Sequence, residues 1–120
     1  MKNILLAICL MFGATASMAD TKFVESQCFM LADMHGEFAA RIKRGETPEK
    51  FLPELFPKLN SFPADVQELV KLMPKVVAKD EAVQQFPPDE HKQDMLNFCF
   101  GNAGDVSSMI EGLKKYLAST

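Results

Sequence analysis

The sequence predicts an all-α fold, a compact bundle of four to five helices with one helix–helix disulfide. Three observations predict it. Apolar residues recur at spacings of three and four over most of residues 20–120, and no stretch alternates apolar and polar residues long enough for a strand. Prolines and glycines cut that pattern into helix-sized pieces. Cys28 and Cys99 fall on the apolar stripes of the first and fourth pieces, and an even cysteine pair in an exported chain is most simply a disulfide.

Export is expected from residues 1–19. Lys2 supplies a positive start, Ile4 to Phe12 form an uncharged apolar run, and Ser17-Met18-Ala19 places small residues where a signal peptidase reads. Cleavage after Ala19 leaves a single helical domain, residues 20–120, in the periplasm or secreted. The apolar run is much shorter than the ~20 residues that span a bilayer, and no later segment is both long and uncharged. Cys9 lies inside the run behind bulky Ile8, which argues against lipidation.

The first helix of the domain is the clearest. Val24, Cys28, Leu31, His35, Phe38 and Ile42 form one stripe, with Asp20 or Thr21 as the expected cap and Gly45 at the C′ position. Arg41, Lys43 and Arg44 crowd the last turn, where cations favour the helix dipole. Gly36 in its interior costs about 1 kcal/mol relative to Ala, so it predicts close approach of another helix or a narrow groove. Thr47-Pro48 starts a second piece. Pro53 and Pro57 predict one or two short, kinked helical pieces over residues 48–60, because proline lacks an N–H and clashes with the preceding turn. A third helix follows Ser61-Phe62-Pro63 and should kink or split near Met73, ahead of Pro74. Phe86-Pro87-Pro88-Asp89 stops and restarts the chain, and the fourth helix turns Met95, Phe98, Cys99 and Leu96 inward. Gly101 to Gly104 break it. Asp105 caps a last helix with Val106, Met109, Ile110, Leu113 and Leu117 on one face.

Charge excludes some functions. The chain carries a formal net charge of −3, one unit more negative without Lys2, and its signs alternate along the sequence. Nucleic acid or an anionic membrane face would need clustered Lys and Arg. A Cys28–Cys99 bridge would close a loop of about 70 residues, worth roughly 4 kcal/mol. A redox role would call for C-x-x-C or a cationic thiolate setting, and neither is present.

One constellation resembles a metal site. On a helix, His35 points within about 20° of Cys28, and His91 lies about 80° from Cys99. If the bridged helices run antiparallel, His35, His91 and Met95 fall at one height, a His/His/Met set suited to copper or another borderline metal. If they run parallel, the histidines are more than about 20 Å apart. The sequence leaves the direction open, and Lys92 rather than His91 shares the Cys99 face. The alternative is a His35 hydrogen-bonded within the fold and a surface His91. Met30, Met34, Met73, Met95 and Met109 all take core-facing helical positions, so packing accounts for them.

Catalysis is not expected, nor is a cofactor. Asp33 with Glu37 and Glu90 with Asp94 share helix faces but lie toward solvent near Arg41 or Lys92. Ser26, Ser107 and Ser108 lack a nucleophile elbow, and HExxH, P-loop and GxGxxG patterns are missing.

Cys28 in the first helix, Arg41-Ile42-Lys43-Arg44-Gly45, the capped turn Thr47-Pro48-Glu49 and the late Cys99 together resemble a group of small secreted proteobacterial helical proteins. The chain departs from that pattern in lacking a tyrosine before the late cysteine helix; its one tyrosine is Tyr116. The resemblance implies the fold, a periplasmic address and the Cys28–Cys99 bridge, and it brings no functional residue.

The favoured reading is a non-enzymatic periplasmic binding or interaction protein. The large apolar groups of segment 51–62 are read first as capping the end of the helical core; as a protein-contact surface, the sharper reading, the segment would use Phe51, Leu55, Phe56 and Phe62. The alternatives are soft-metal (copper) binding through His35, His91 and Met95, and an immunity-type inhibitor of a periplasmic toxin.

Overall fold

Six helices follow one another in the computed structural model, which describes residues 20–79 and 81–119. They are α1 (Glu25–Lys43), α2 (Pro48–Leu59), α3 (Ala64–Lys79), α4 (Glu81–Gln84), α5 (Pro88–Gly101) and α6 (Val106–Ala118). The leader, its cleavage site after Ala19 and Cys9 lie outside the described residues. Among those described, no helix is long and apolar enough to cross a membrane. The all-α bundle with one helix–helix disulfide is the observed architecture.

The most extensive helix pair is α1 with α5, followed by α3 with α6, then α1 with α3. Cys28 and Cys99 are bonded with Cα atoms 5.7 Å apart, and both are buried. His35 lies near His91 further along the same pair. Position therefore rises along α1 as it falls along α5, so the two helices are antiparallel. Gly36 is the point of close approach: a Cβ there would lie 2.3 Å from Cγ of Lys92. The Lys92 stem crosses the bare glycine backbone, and its ammonium reaches Asp33 Oδ1 at 2.8 Å.

The ends of α1 differ in outcome. Gly45 has φ +98°, its N–H donates to the Ile42 carbonyl, and the Glu46 N–H donates to the Arg41 carbonyl. That is a Schellman closure, with glycine where L-residues are strained. At the other end Val24, not Asp20 or Thr21, takes the N-cap position, and its N–H donates to Oε1 of Gln27. Residues 21–23 are instead extended against the start of α6. The Phe23 N–H donates to the Gly104 carbonyl and the Val106 N–H to the Thr21 carbonyl. Thr21 also donates its N–H and hydroxyl to the Asp65 carboxylate at the start of α3. This strap satisfies backbone groups that a longer α1 would have taken up.

Segment 48–60 takes the single-piece form of the expectation, one helix to Leu59 with Pro53 and Pro57 inside it and exposed. Pro74 does not split α3. An interior proline costs about 3 kcal/mol. Each of these helices recovers more than that by burying a full apolar face: Phe51, Leu52, Leu55 and Leu59 in α2, and Val66, Leu69, Val70, Met73 and Val77 in α3. The short α4, which buries no residue, has no counterpart among the expected elements. Asp105 does cap α6, accepting from the Ser108 N–H and hydroxyl.

Candidate functional site

The expected contact surface in α2 is corrected by its own packing. Phe51 and Leu55 are fully buried and Phe62 is buried behind them. Phe51 stacks on Phe38 of α1, with ring centres 5.7 Å apart, and Arg41 covers its ring. Amphipathic spacing wins over proline here: the helix stays intact, so its apolar face turns inward as a unit. Of the four residues only Phe56 is exposed, at 43%, with the Lys71 ammonium over its ring.

The antiparallel α1–α5 pair brings the two histidines together. Their ring centres are 5.9 Å apart at an interplanar angle of 65°. Both are buried, His35 at 4% exposure and His91 at 3%, so His91 is not a surface residue. Because α5 passes over Gly36 with the Lys92 stem on one side, His91 turns the other way, toward α4 and Phe86. Its Nε2 lies 3.0 Å from the Val83 carbonyl oxygen. A carbonyl can only accept, so Nε2 donates here, and in the neutral ring Nδ1 is the nitrogen that holds the lone pair.

His35 has the opposite problem. Its Nδ1 is buried and has no hydrogen-bond partner, the one such side-chain atom among the described residues. Buried polar groups are paired in the great majority of cases, and an orphan costs about 1–3 kcal/mol. Burial, reinforced by the neighbouring His91, lowers the His35 pKa from 6.5 to about 3. The imidazole is therefore neutral at any ordinary pH.

A half-open cleft of about 280 Å3 runs beside the pair. Val76 and Val77 of α3, Val83 of α4 and Leu113 and Tyr116 of α6 supply most of its walls. From α5 come Met95, Phe98 and, at the exposed rim, Asp94. Met95 is buried one turn after His91, so all three members of the expected His/His/Met set line one cavity. No family model, curated protein or solved structure matches this chain.

Polar groups on the cleft come from four side chains: the imidazoles of His35, with its unpartnered Nδ1, and of His91, the Asp94 carboxylate and Tyr116. Lys79, the nearby cation, is turned away: it donates to the carbonyls of Tyr116 and Ser119 and sits over the Tyr116 ring. Sequence spacing found His35, His91 and Met95 but missed Val83, which acts through a backbone carbonyl that no side-chain pattern reveals. Of the carboxylate pairs only Asp94 reaches the cleft; Asp33 is bound to Lys92, and Glu90 is exposed.

On the opposite side of the α1–α5 seam, Phe29 and Phe100 are exposed at 48% and 45% and meet edge to face. They are the largest aromatic feature outside the core, and their position was not among the expected contact residues.

Proposed function

We propose that this protein is a non-enzymatic, exported binding protein whose ligand site is the cleft over His35 and His91. One observation carries the reading: a buried imidazole nitrogen with no hydrogen-bond partner, on a residue that lines a mostly apolar cleft. Such an arrangement costs stability unless something fills it. A small cavity with apolar walls and a few convergent polar groups, one of them strongly shifted in pKa, is the usual form of a ligand site. The ligand it suits is small, apolar on most of its surface, and either Lewis-acidic or a hydrogen-bond donor. The disulfide fits an oxidising compartment, in keeping with the leader expected at residues 1–19.

The test is a nitrogen-15 NMR titration of the histidine side chains against a library of small fragments, alongside Val76→Phe, which fills the cleft. Ligands should perturb His35 and His91 in the native chain and leave the filled variant unchanged. Fragments that bind with equal strength to both, or none that reach the histidines, would remove the cleft from consideration.

A further inference from the structure

We propose that His35, His91 and Met95 together hold a single cuprous ion. The inference rests on the reading of the cleft as a ligand site and names the ligand.

Geometry is the first support. A metal–imidazole bond of about 2.0–2.1 Å, extended to the ring centre, puts a metal roughly 3.1 Å from that centre. Two imidazoles sharing one ion therefore have ring centres up to about 6.3 Å apart, the upper value for a linear N–metal–N unit. The observed 5.9 Å is close to that open, low-coordinate limit.

The second support is how His91 is held. Ligating histidines commonly donate their other ring N–H to a carbonyl or carboxylate, which fixes tautomer and orientation. The Val83 carbonyl does this to Nε2 of His91 at 3.0 Å, leaving Nδ1 as the ligand atom. His35 has a buried ring nitrogen, Nδ1, that lacks any hydrogen-bond partner.

The donor set then chooses the ion. Two neutral imidazoles and a buried thioether carry no charge. Thioether donors select soft ions such as Cu(I). Among the described residues no three His, Cys, Asp or Glu side chains gather where a harder metal would need them. The single carboxylate on the cleft is Asp94 at the rim, enough to balance a monovalent cation and no more. Cys28 and Cys99 are not available, since they are bonded to each other.

The experiment is an anaerobic competition between the full chain, carrying Cys9→Ser so that this cysteine cannot compete for copper, and a chromophoric Cu(I) chelator, with the disulfide left oxidised. The expected result is one Cu(I) per chain. Met95→Leu, which keeps the core volume, should weaken it at least about tenfold, and His91→Gln should weaken it by more than about 100-fold. X-ray absorption should show two nitrogen ligands and one sulfur. Unchanged affinity in both variants, or no Cu(I) retained by the native chain, overturns the proposal. If no Cu(I) is retained but fragments still shift the His35 and His91 signals and Val76→Phe abolishes that, the copper assignment falls and the cleft reading stands. If neither copper nor fragments reach the histidines, both fall.

Discussion

Gly36→Ala should destabilise this protein, although alanine is the better helix former. The reason is one contact. In a free helix the substitution gains about 1 kcal/mol. Here the new Cβ would lie 2.3 Å from Cγ and 2.8 Å from Cδ of Lys92, so the lysine stem must leave the α1 surface. Overpacking of this kind costs about 1–3 kcal/mol. The displaced ammonium also loses Asp33, a half-exposed pair worth about 0.2–1 kcal/mol. The net expectation is a loss of about 1 kcal/mol. Lys92→Ala removes the obstacle, because the next neighbour of the added Cβ is the Pro88 carbonyl oxygen at 3.4 Å, an ordinary contact. In that background Gly36→Ala should stabilise by about 1 kcal/mol. The two results differ by a coupling of about 2 kcal/mol, within the range seen for residues in direct contact. Urea denaturation of the four proteins measures it, and melting temperatures should move by about 4–8 °C per kcal/mol. Equal effects of Gly36→Ala in both backgrounds would refute the close-approach account of the glycine.

Replacing Cys28 and Cys99 by Ser should cost about 4 kcal/mol in chemical denaturation, the loop-closure value for a bridge of this span; a loss under about 1 kcal/mol would show that helix packing alone fixes the pair. His35 titrates in the unfolded chain near 6.5 and in the folded one near 3, so the unfolded state binds the extra proton and stability must fall as pH drops through that window. The slope attributable to His35 is up to about 1.4 kcal/mol per pH unit, and His35→Phe should abolish it while leaving the metal-free protein at least as stable at pH 7; a native chain whose stability is flat from pH 6 to 4 would contradict the burial argument. Phe51→Ala should cost about 3–5 kcal/mol and Phe56→Ala under about 1, read by thermal melting, and similar losses at both would mean that α2 does not turn a single face inward.

The fold class and the bridge were legible because they depend on side-chain period and cysteine number, which the chain carries in plain form. Gly36 was legible too, as an expensive residue needing a compensation, and Gly45 and Asp105 as terminal signals. The proline-bearing helices were not. Pro53, Pro57 and Pro74 oppose the helix locally, and their outcome is decided by apolar area buried elsewhere, by Phe51 against Phe38 and by the α3 face against α6. The outward placement of Phe51 and Phe62 does not hold: α2 turns Phe51 inward with Leu52, Leu55 and Leu59, and Phe62, past the end of α2, is buried as well. Asp20 and Thr21 carried good capping chemistry that the strap on Gly104 and Val106 claimed instead. For the histidines, spacing along each helix was legible, but the direction of one helix against the other was not. Nor could it show that Val83 would supply the carbonyl that orients His91.

The site owes its geometry to the same seam that gives the bundle much of its order. Cys28 and Gly36 lie about 12 Å apart along α1 at a rise of about 1.5 Å per residue. At the first point a covalent bond holds α5; at the second the absent side chain lets the Lys92 stem close in. Two such points determine both the separation and the register of the helices, whereas either alone would leave the other free to adjust. His35 is the residue next to Gly36, and His91 is next to Lys92. The imidazole pair, with ring centres 5.9 Å apart, thus sits beside the second of the two pins. An apolar pair at these positions would bury similar volume without an orphaned nitrogen. What the histidines add, and leucines would not, is a pair of polar rings lining one cleft.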